Sequence, residues 1–236
     1  MCNVWRFRAF RWWLVLLSAA VALSLAAART FYFSFDPVLA RHLQTIQAPW
    51  FAQTMEMASY VFGSWRFVIL VLLAGILVWK REGRRHALLV LAGGLAAYVN
   101  SGLKLLVGRP RPSAELVSVS AALGSYSFPS GHTFSAAMLL GVMVILGLLS
   151  PRGRIFKTGA YVLAAVVVAL VGTSRVYLGV HWPSDIVGSL LWAGVFLIPV
   201  YWFVRMYLIS TAGSESACET AVPVRGESSA DGGGII

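Results

Sequence analysis

The chain has 236 residues, 58% of them hydrophobic and 12% charged, with a mean hydropathy of +0.77. Soluble domains carry roughly a quarter of their residues as charges, and here the apolar residues fall in long runs, so the composition excludes a soluble fold and indicates a membrane protein. The net charge of +10 does not point to nucleic acid, because Lys and Arg gather in short loops between apolar runs, where topology signals belong.

A spanning helix needs about 20 mainly apolar residues. Six stretches qualify, at approximately 12–28, 58–79, 87–107, 131–149, 158–178 and 185–207. Arg6, Arg8 and Arg11 precede the first. Its basic start and small-residue end, SLAAART, also resemble a cleavable secretory signal, but an uncleaved anchor agrees with the loop charges on both sides. In the first outer loop, FDPVLARHLQTIQAPW predicts a short helix capped by Asp36, with Pro37 in its first turn. Val38, Leu39, Leu43 and Ile46 give it one apolar stripe, as an interfacial helix requires. His42 there reads as an interfacial polar residue.

The connections KREGRRH at 80–86 and SPRGRIFK at 150–157 are basic, and Arg205 closes the last span. The excess of Lys and Arg makes these positions cytoplasmic. Both termini are then inside, and the loops 29–57, 108–130 and 179–184 face outside. The expected fold is all-α: a six-helix transmembrane bundle over 1–209, with both termini cytoplasmic. A Gly-, Ser- and Glu-rich tail over 210–236 is expected to be disordered and cytoplasmic. Cys2 and Cys218 lie at opposite ends and show neither metal-site nor disulfide spacing.

The outer ends of the later spans collect the chain's chemistry. Lys104 ends the third span, and RPRP follows at 109–112. Ser130, Gly131 and His132 open the fourth span. Arg175 ends the fifth, and His181 and Asp185 enter the sixth. Each has a plainer use alone: Lys104 or Arg109 can snorkel to head groups, a single interfacial His is usually structural, and Asp185 can cap a helix. Together on one face they suit phosphoryl transfer. Lys and Arg hold phosphate oxygens, and backbone N–H groups at Gly131 and His132 add donors at a helix start. Asp185, four residues after His181, can accept a proton from one imidazole nitrogen and leave the other as nucleophile. His132 can protonate a leaving oxygen.

The segments Lys104-(six residues)-Arg111-Pro112, Pro129-Ser130-Gly131-His132 and Ser174-Arg175-(five residues)-His181-(three residues)-Asp185 resemble the three signature motifs of the type-2 phosphatidic acid phosphatase (PAP2) superfamily. The resemblance covers about residues 60–207. It implies a lipid phosphatase without metal or cofactor, working through a phosphohistidine. His181 is then the nucleophile, Asp185 its partner and His132 the acid; Lys104, Arg111, Ser130, Gly131 and Arg175 bind phosphate. Arg109 lies outside the strict motif. Where many relatives carry two glycines after the Asp, this chain reads VGSLLW.

The expected substrate is a phosphorylated lipid of the cytoplasmic (inner) membrane, reached from outside. Undecaprenyl diphosphate stands first, with phosphatidylglycerol phosphate, phosphatidic acid and lipid A phosphate as alternatives, and transfer to another lipid remains open. A vanadium haloperoxidase resembles the same motif set but is soluble. A non-catalytic lipid-binding or transport protein would be expected to lack a catalytic residue, and none is missing.

Overall fold

The computed structural model describes residues 2–96, 98–121 and 124–219, with side chains described for 10–63, 65–96, 98–121 and 124–206. Among these residues the chain forms nine helices and no strand. They are α1 (Cys2–Arg29), α2 (Phe35–Gln44), α3 (Pro49–Val61), α4 (Ser64–Glu82), α5 (Arg84–Ala96), α6 (Val99–Val107), α7 (Gly131–Leu149), α8 (Arg154–Tyr177) and α9 (Pro183–Glu219). The chain divides into two units, Met1–Tyr201 and Trp202–Ile236; the first carries the site. α9 is helical to Glu219, and the rest of the tail expected from residue 210 lies outside the described residues.

Five segments are long and apolar enough to cross a membrane: Phe10–Arg29, Arg84–Val107, Gly131–Leu149, Arg154–Tyr177 and Pro183–Met206. A sixth candidate differs from its expected form. Residues 58–79 read as one straight span, but α3 and α4 meet there at a 70° bend. Gly63 takes extended backbone (φ −84, ψ 137) at the N-cap of α4, which interrupts the helical hydrogen-bond ladder. The first outer loop also differs, forming two helices where one was expected. Ala48 is extended (φ −63, ψ 126) because Pro49 follows it, and a residue before proline is pushed out of the helical region. Nor is Asp36 the N-cap of α2. Ser34 holds that position, and Asp36 lies fully buried in the first turn.

Phe67 and Val71 of α4, Val90 of α5, Phe134, Met138 and Val142 of α7 and Ala193 of α9 form the main core. α1 joins α9 through its indoles: Trp13 Nε1 donates to the Val195 carbonyl (2.9 Å), and Trp192 Nε1 donates to Ser24 Oγ (3.0 Å). Indole N–H groups buried in an apolar bundle need such partners. Elsewhere large apolar side chains point outward, Leu105 and Leu106 at 73% and 82% exposure, as lipid-facing residues do.

The basic turns lie together at one end of the bundle. Only Gly83, at φ +89, separates α4 from α5, and Glu82 beside it forms an ion pair with Arg152 of the second basic turn. At the other end α2 is fastened down. Gln44 Nε2 donates to the carbonyls of Ser118 (2.7 Å) and Tyr177 (2.8 Å), and its Oε1 accepts from Ser118 N–H (3.0 Å). Ala40 packs there with Val117, Val176 and Trp182. The opposite side of α2 exposes Val38 and Leu39.

Gly179 turns the chain between α8 and α9. It has φ +65, and a Cβ there would run into the carbonyl oxygen of Ser118, with the carbonyl carbon at 2.9 Å. Neither backbone atom can swing aside as a side-chain tip could. Gly179→Ala should therefore destabilise the protein by at least about 1–3 kcal/mol, measured as a lowered thermal unfolding midpoint in detergent. An unchanged midpoint would show that the turn tolerates a side chain.

Candidate active site

α6 stops at Gly108, which takes the left-handed conformation (φ 64) favoured just past a helix end. Pro110 and Pro112 then hold the following segment extended. Side chains two apart in a polyproline-type run point in different directions, and the two arginines here diverge. Arg111 Nε and Nη2 donate to the carbonyl (2.6 Å) and hydroxyl (2.9 Å) of Ser125; Nη1 donates to the Val180 carbonyl (2.5 Å) and lies 3.3 Å from His181 Nε2. Arg109 turns the other way, into the protein, and is completely buried.

His181 lies in the turn between α8 and α9, its N–H bonded back to the Arg175 carbonyl (3.2 Å). Pro183 starts α9, so Trp182 is the N-cap and Asp185 the third helical residue. Asp185 Oδ2 accepts the Trp182 N–H at 2.9 Å, the reciprocal half of a capping box. The capping use anticipated for Asp185 is thus present together with a contact to His181 Nδ1, at 3.4 Å. Ser127 also enters: its hydroxyl donates a short hydrogen bond to the same Oδ2 and lies 3.4 Å from Nδ1.

These contacts set the imidazole tautomer. An arginine can only donate, so the His181 Nε2 facing Arg111 is the unprotonated nitrogen. Nδ1 then carries the proton, towards Asp185 and Ser127. Burial, followed by the nearby charges of Lys104, Arg111 and Arg175, holds the His181 pKa well below the usual histidine range. The ring is neutral and offers an Nε2 lone pair.

Ser130 is the N-cap of α7, which begins at Gly131, so the N–H groups of Gly131 and His132 fall among the donors that a helix start leaves free. A Cβ on Gly131 would lie 3.2 Å from Asn100 Nδ2 and 3.9 Å from Lys104 Cε, which places α6 directly against this turn. Ser189 holds the turn to α9 by donating to the Ser130 carbonyl (3.0 Å). The VGSLLW segment fits here as well, because Gly188 leaves room for the ring of Phe128.

Lys104, Gly131 and His132 line a cavity of about 830 Å³ whose other walls include Phe62, Trp65, Val68 and Leu105. The cations near it are oriented by neutral acceptors. Lys104 Nζ donates to the Tyr126 carbonyl (2.5 Å) and Arg175 to the Ser59 hydroxyl. Among the described residues, no carboxylate forms an ion pair with Lys104, Arg111 or Arg175. Carbonyls and hydroxyls fix these groups in place without cancelling their charge, which leaves a field suited to an anion.

The fold thus brings Lys104, Arg111, Ser130, Gly131, His132, Arg175, His181 and Asp185 to one end of the bundle. Sequence reasoning passed over Ser127, Ser59 and Asn100. Ser127 and Ser59 carry no signal among ordinary serines, whereas Asn100, four residues before Lys104 on one helix, shares its face and could have been found. Among the described residues, no group of three His, Cys, Asp or Glu is placed to hold a metal ion.

Residues 85–208 match the PAP2 superfamily. The chain belongs to that family. It is 32% identical over 163 residues to phosphatidylglycerophosphatase B of Bacillus subtilis, covering 66% of this chain and 76% of that protein. Identity is 36% over 135 residues to the decaprenylphosphoryl-5-phosphoribose phosphatase of Mycobacterium tuberculosis, covering 55% and 67% of the two chains. It is 30% over 129 residues to the undecaprenyl-diphosphatase of Sulfolobus acidocaldarius, covering 53% and 58%. The crystal structure of a transmembrane PAP2 type phosphatidylglycerolphosphate phosphatase from Bacillus subtilis superposes with a TM-score of 0.65 at 27% identity. That match covers 85% of this chain and 96% of that one. The protein is a multi-pass membrane phosphatase of the PAP2 family.

The lowered His181 pKa gives a direct check. Histidine NMR of the purified protein in detergent should find this ring neutral where an ordinary histidine, with a pKa of about 6.5, is half protonated. Titration near 6.5 would contradict the environment described.

Proposed function

We propose that this PAP2 phosphatase releases the terminal phosphate of a membrane lipid through a phosphohistidine at His181. The observation carrying this reading is a neutral His181 whose free Nε2 sits beside Arg111, at the same end of the bundle as the cavity lined by Lys104 and His132. Lys104, Arg111, Arg175 and the N–H groups of Gly131 and His132 hold the phosphate, with Ser130 shaping the turn. Nε2 attacks phosphorus, the bond to the leaving oxygen breaks, and His132 supplies that oxygen with a proton. Water then attacks the phosphohistidine and returns a proton to His132, freeing inorganic phosphate. Asp185 holds the Nδ1 proton throughout. Charge building on the phosphoryl oxygens meets cations already in place, usually the largest source of catalysis.

Those cations supply the positive charge that a metal would otherwise bring, so the reaction proceeds without one. Phosphatidylglycerol phosphate is the first substrate. The Bacillus subtilis relative, matched over 66% of this chain and 76% of its own, is named for it, which moves it ahead of undecaprenyl diphosphate. The undecaprenyl-diphosphatase relative favours a prenyl diphosphate as the second reading.

Assay of the purified protein in detergent with excess EDTA tests this. Phosphate should be released from phosphatidylglycerol phosphate faster than from undecaprenyl diphosphate, phosphatidic acid or lipid A. ³²P labelling of the protein should vanish in His181→Ala. Activity that disappears in EDTA and returns with magnesium would overturn the mechanism; a reversed order of lipids would overturn only the substrate.

The site faces outward across the cytoplasmic membrane, because the two basic turns joined by Glu82 and Arg152 lie at the end of the bundle opposite the site. A cysteine introduced at residue 114 should react with an impermeant maleimide in intact cells or spheroplasts. Labelling only after lysis would reverse the orientation.

A further inference from the structure

Arg109 differs from every other cation near the site. It is wholly buried and, unlike Lys104, Arg111 and Arg175, is ion-paired with two carboxylates, so it is not placed to hold a substrate phosphate. Each of its three nitrogens donates within the protein. Nη1 reaches Asp185 Oδ1 at 2.6 Å and Ser184 Oγ at 2.7 Å, Nη2 reaches Asp36 Oδ2 at 2.9 Å, and Nε reaches the Thr30 carbonyl at 3.4 Å. The ring of Phe33 lies 5.0 Å from the guanidinium carbon. Asp36 is as well held, accepting from the N–H groups of Phe33 (3.0 Å) and Ser184 (2.9 Å) and from the Ser184 hydroxyl (2.7 Å).

We propose that Arg109 and Asp36 are positioning residues of the phosphatase: Arg109 orients Asp185, and through it His181, while Asp36 fixes Arg109. This rests on the reading of His181 as nucleophile. The division of Asp185 between its two oxygens carries the argument. Oδ1 receives Arg109, whereas Oδ2 receives Trp182 N–H, the Ser127 hydroxyl and the His181 Nδ1 edge. The guanidinium therefore fixes the carboxylate plane and leaves Oδ2 turned to the imidazole.

A carboxylate with no solvent contact persists as an anion only if paired and hydrogen-bonded, and Arg109 is the cation paired with Oδ1. Four acceptors in different directions match a planar fork and not the point charge of a lysine. Asp36 lies upstream of the family-matched residues 85–208. The first outer loop thus adds to the catalytic apparatus a residue that none of the three motifs contains.

A buried ion pair can also be a simple staple, and the test separates the two. Arg109→Lys, Arg109→Gln and the double variant Asp36→Asn/Arg109→Gln are assayed in detergent on phosphatidylglycerol phosphate, alongside thermal unfolding. The double variant leaves one carboxylate fewer unpaired than Arg109→Gln alone and should unfold at a higher midpoint than that single variant. Its kcat should fall about 10- to 100-fold, the loss typical of removing an outer partner of a catalytic group, with KM within about twofold. The acid limb of its kcat/KM profile should move to higher pH, because a positive charge beside the His181–Asp185 pair is lost while Lys104, Arg111 and Arg175 remain near it. Arg109→Lys keeps the charge without the fork, so kcat should be intermediate and the acid limb unmoved.

Wild-type kcat in the folded double variant, a loss confined to KM, or an unmoved acid limb would make the pair a staple and overturn the proposal. If the double variant does not fold, Arg109→Lys decides: wild-type kcat overturns it, and a lowered kcat at an unchanged midpoint supports it. Labelling of wild type but not of His181→Ala tests the nucleophile separately, so the two readings cannot fail unnoticed together.

Discussion

Arg109 sits out of contact with solvent between Asp36 and Asp185, and the end of the bundle that carries the site is organised around that pairing. It ties three distant parts of the chain to one point: the start of α2, the loop after α6 and the first turn of α9. Breaking one side of such an arrangement leaves an uncompensated charge in a dry place, commonly costing about 3–5 kcal/mol. Its geometry is therefore strongly enforced, and the proposed nucleophile is built onto the enforced part.

The remaining cations follow the opposite rule. Lys104, Arg111 and Arg175 are oriented by carbonyls and hydroxyls, and their charge stays available. Two kinds of basic residue thus lie side by side, one satisfied by carboxylates and buried, the others aimed but uncompensated. RPRP places one of each within three residues. The segment's prolines make this possible by fixing how far apart the two side chains diverge.

Much of this was legible in the sequence because it depends on local signals. Apolar runs of lipid length marked the spans, and the spacing of Lys104, Arg111, His132, Arg175, His181 and Asp185 brought them to one face once the basic loops were assigned to the other. The bend at Phe62–Gly63 was not legible, because residues 58–79 are mainly apolar, with Arg66 their one charge, and hydropathy measures length rather than direction. The Pro49 break could have been read from X-Pro sterics, but a continuous apolar stripe concealed it. Asp36 was missed for a deeper reason. A lone acid near a proline and an apolar stripe matches a surface helix cap, and only the tertiary fold shows that its partners lie 73 and 148 positions away in sequence. Ser127 and Ser59 are invisible in the same way.

The cavity has a consequence for how such an enzyme meets its substrate. Trp65, Val68 and Leu105 line it and are also exposed on the outer surface of the bundle, so its wall is continuous with the surface that acyl chains touch. A lipid can slide in sideways with its tail still among its neighbours, and only the head group changes surroundings. The quantity that governs occupancy is then the mole fraction of the phosphorylated lipid within one leaflet, independent of how much of it the surrounding water could dissolve. Diluting the bilayer with inert lipid slows such a catalyst; diluting the suspension does not.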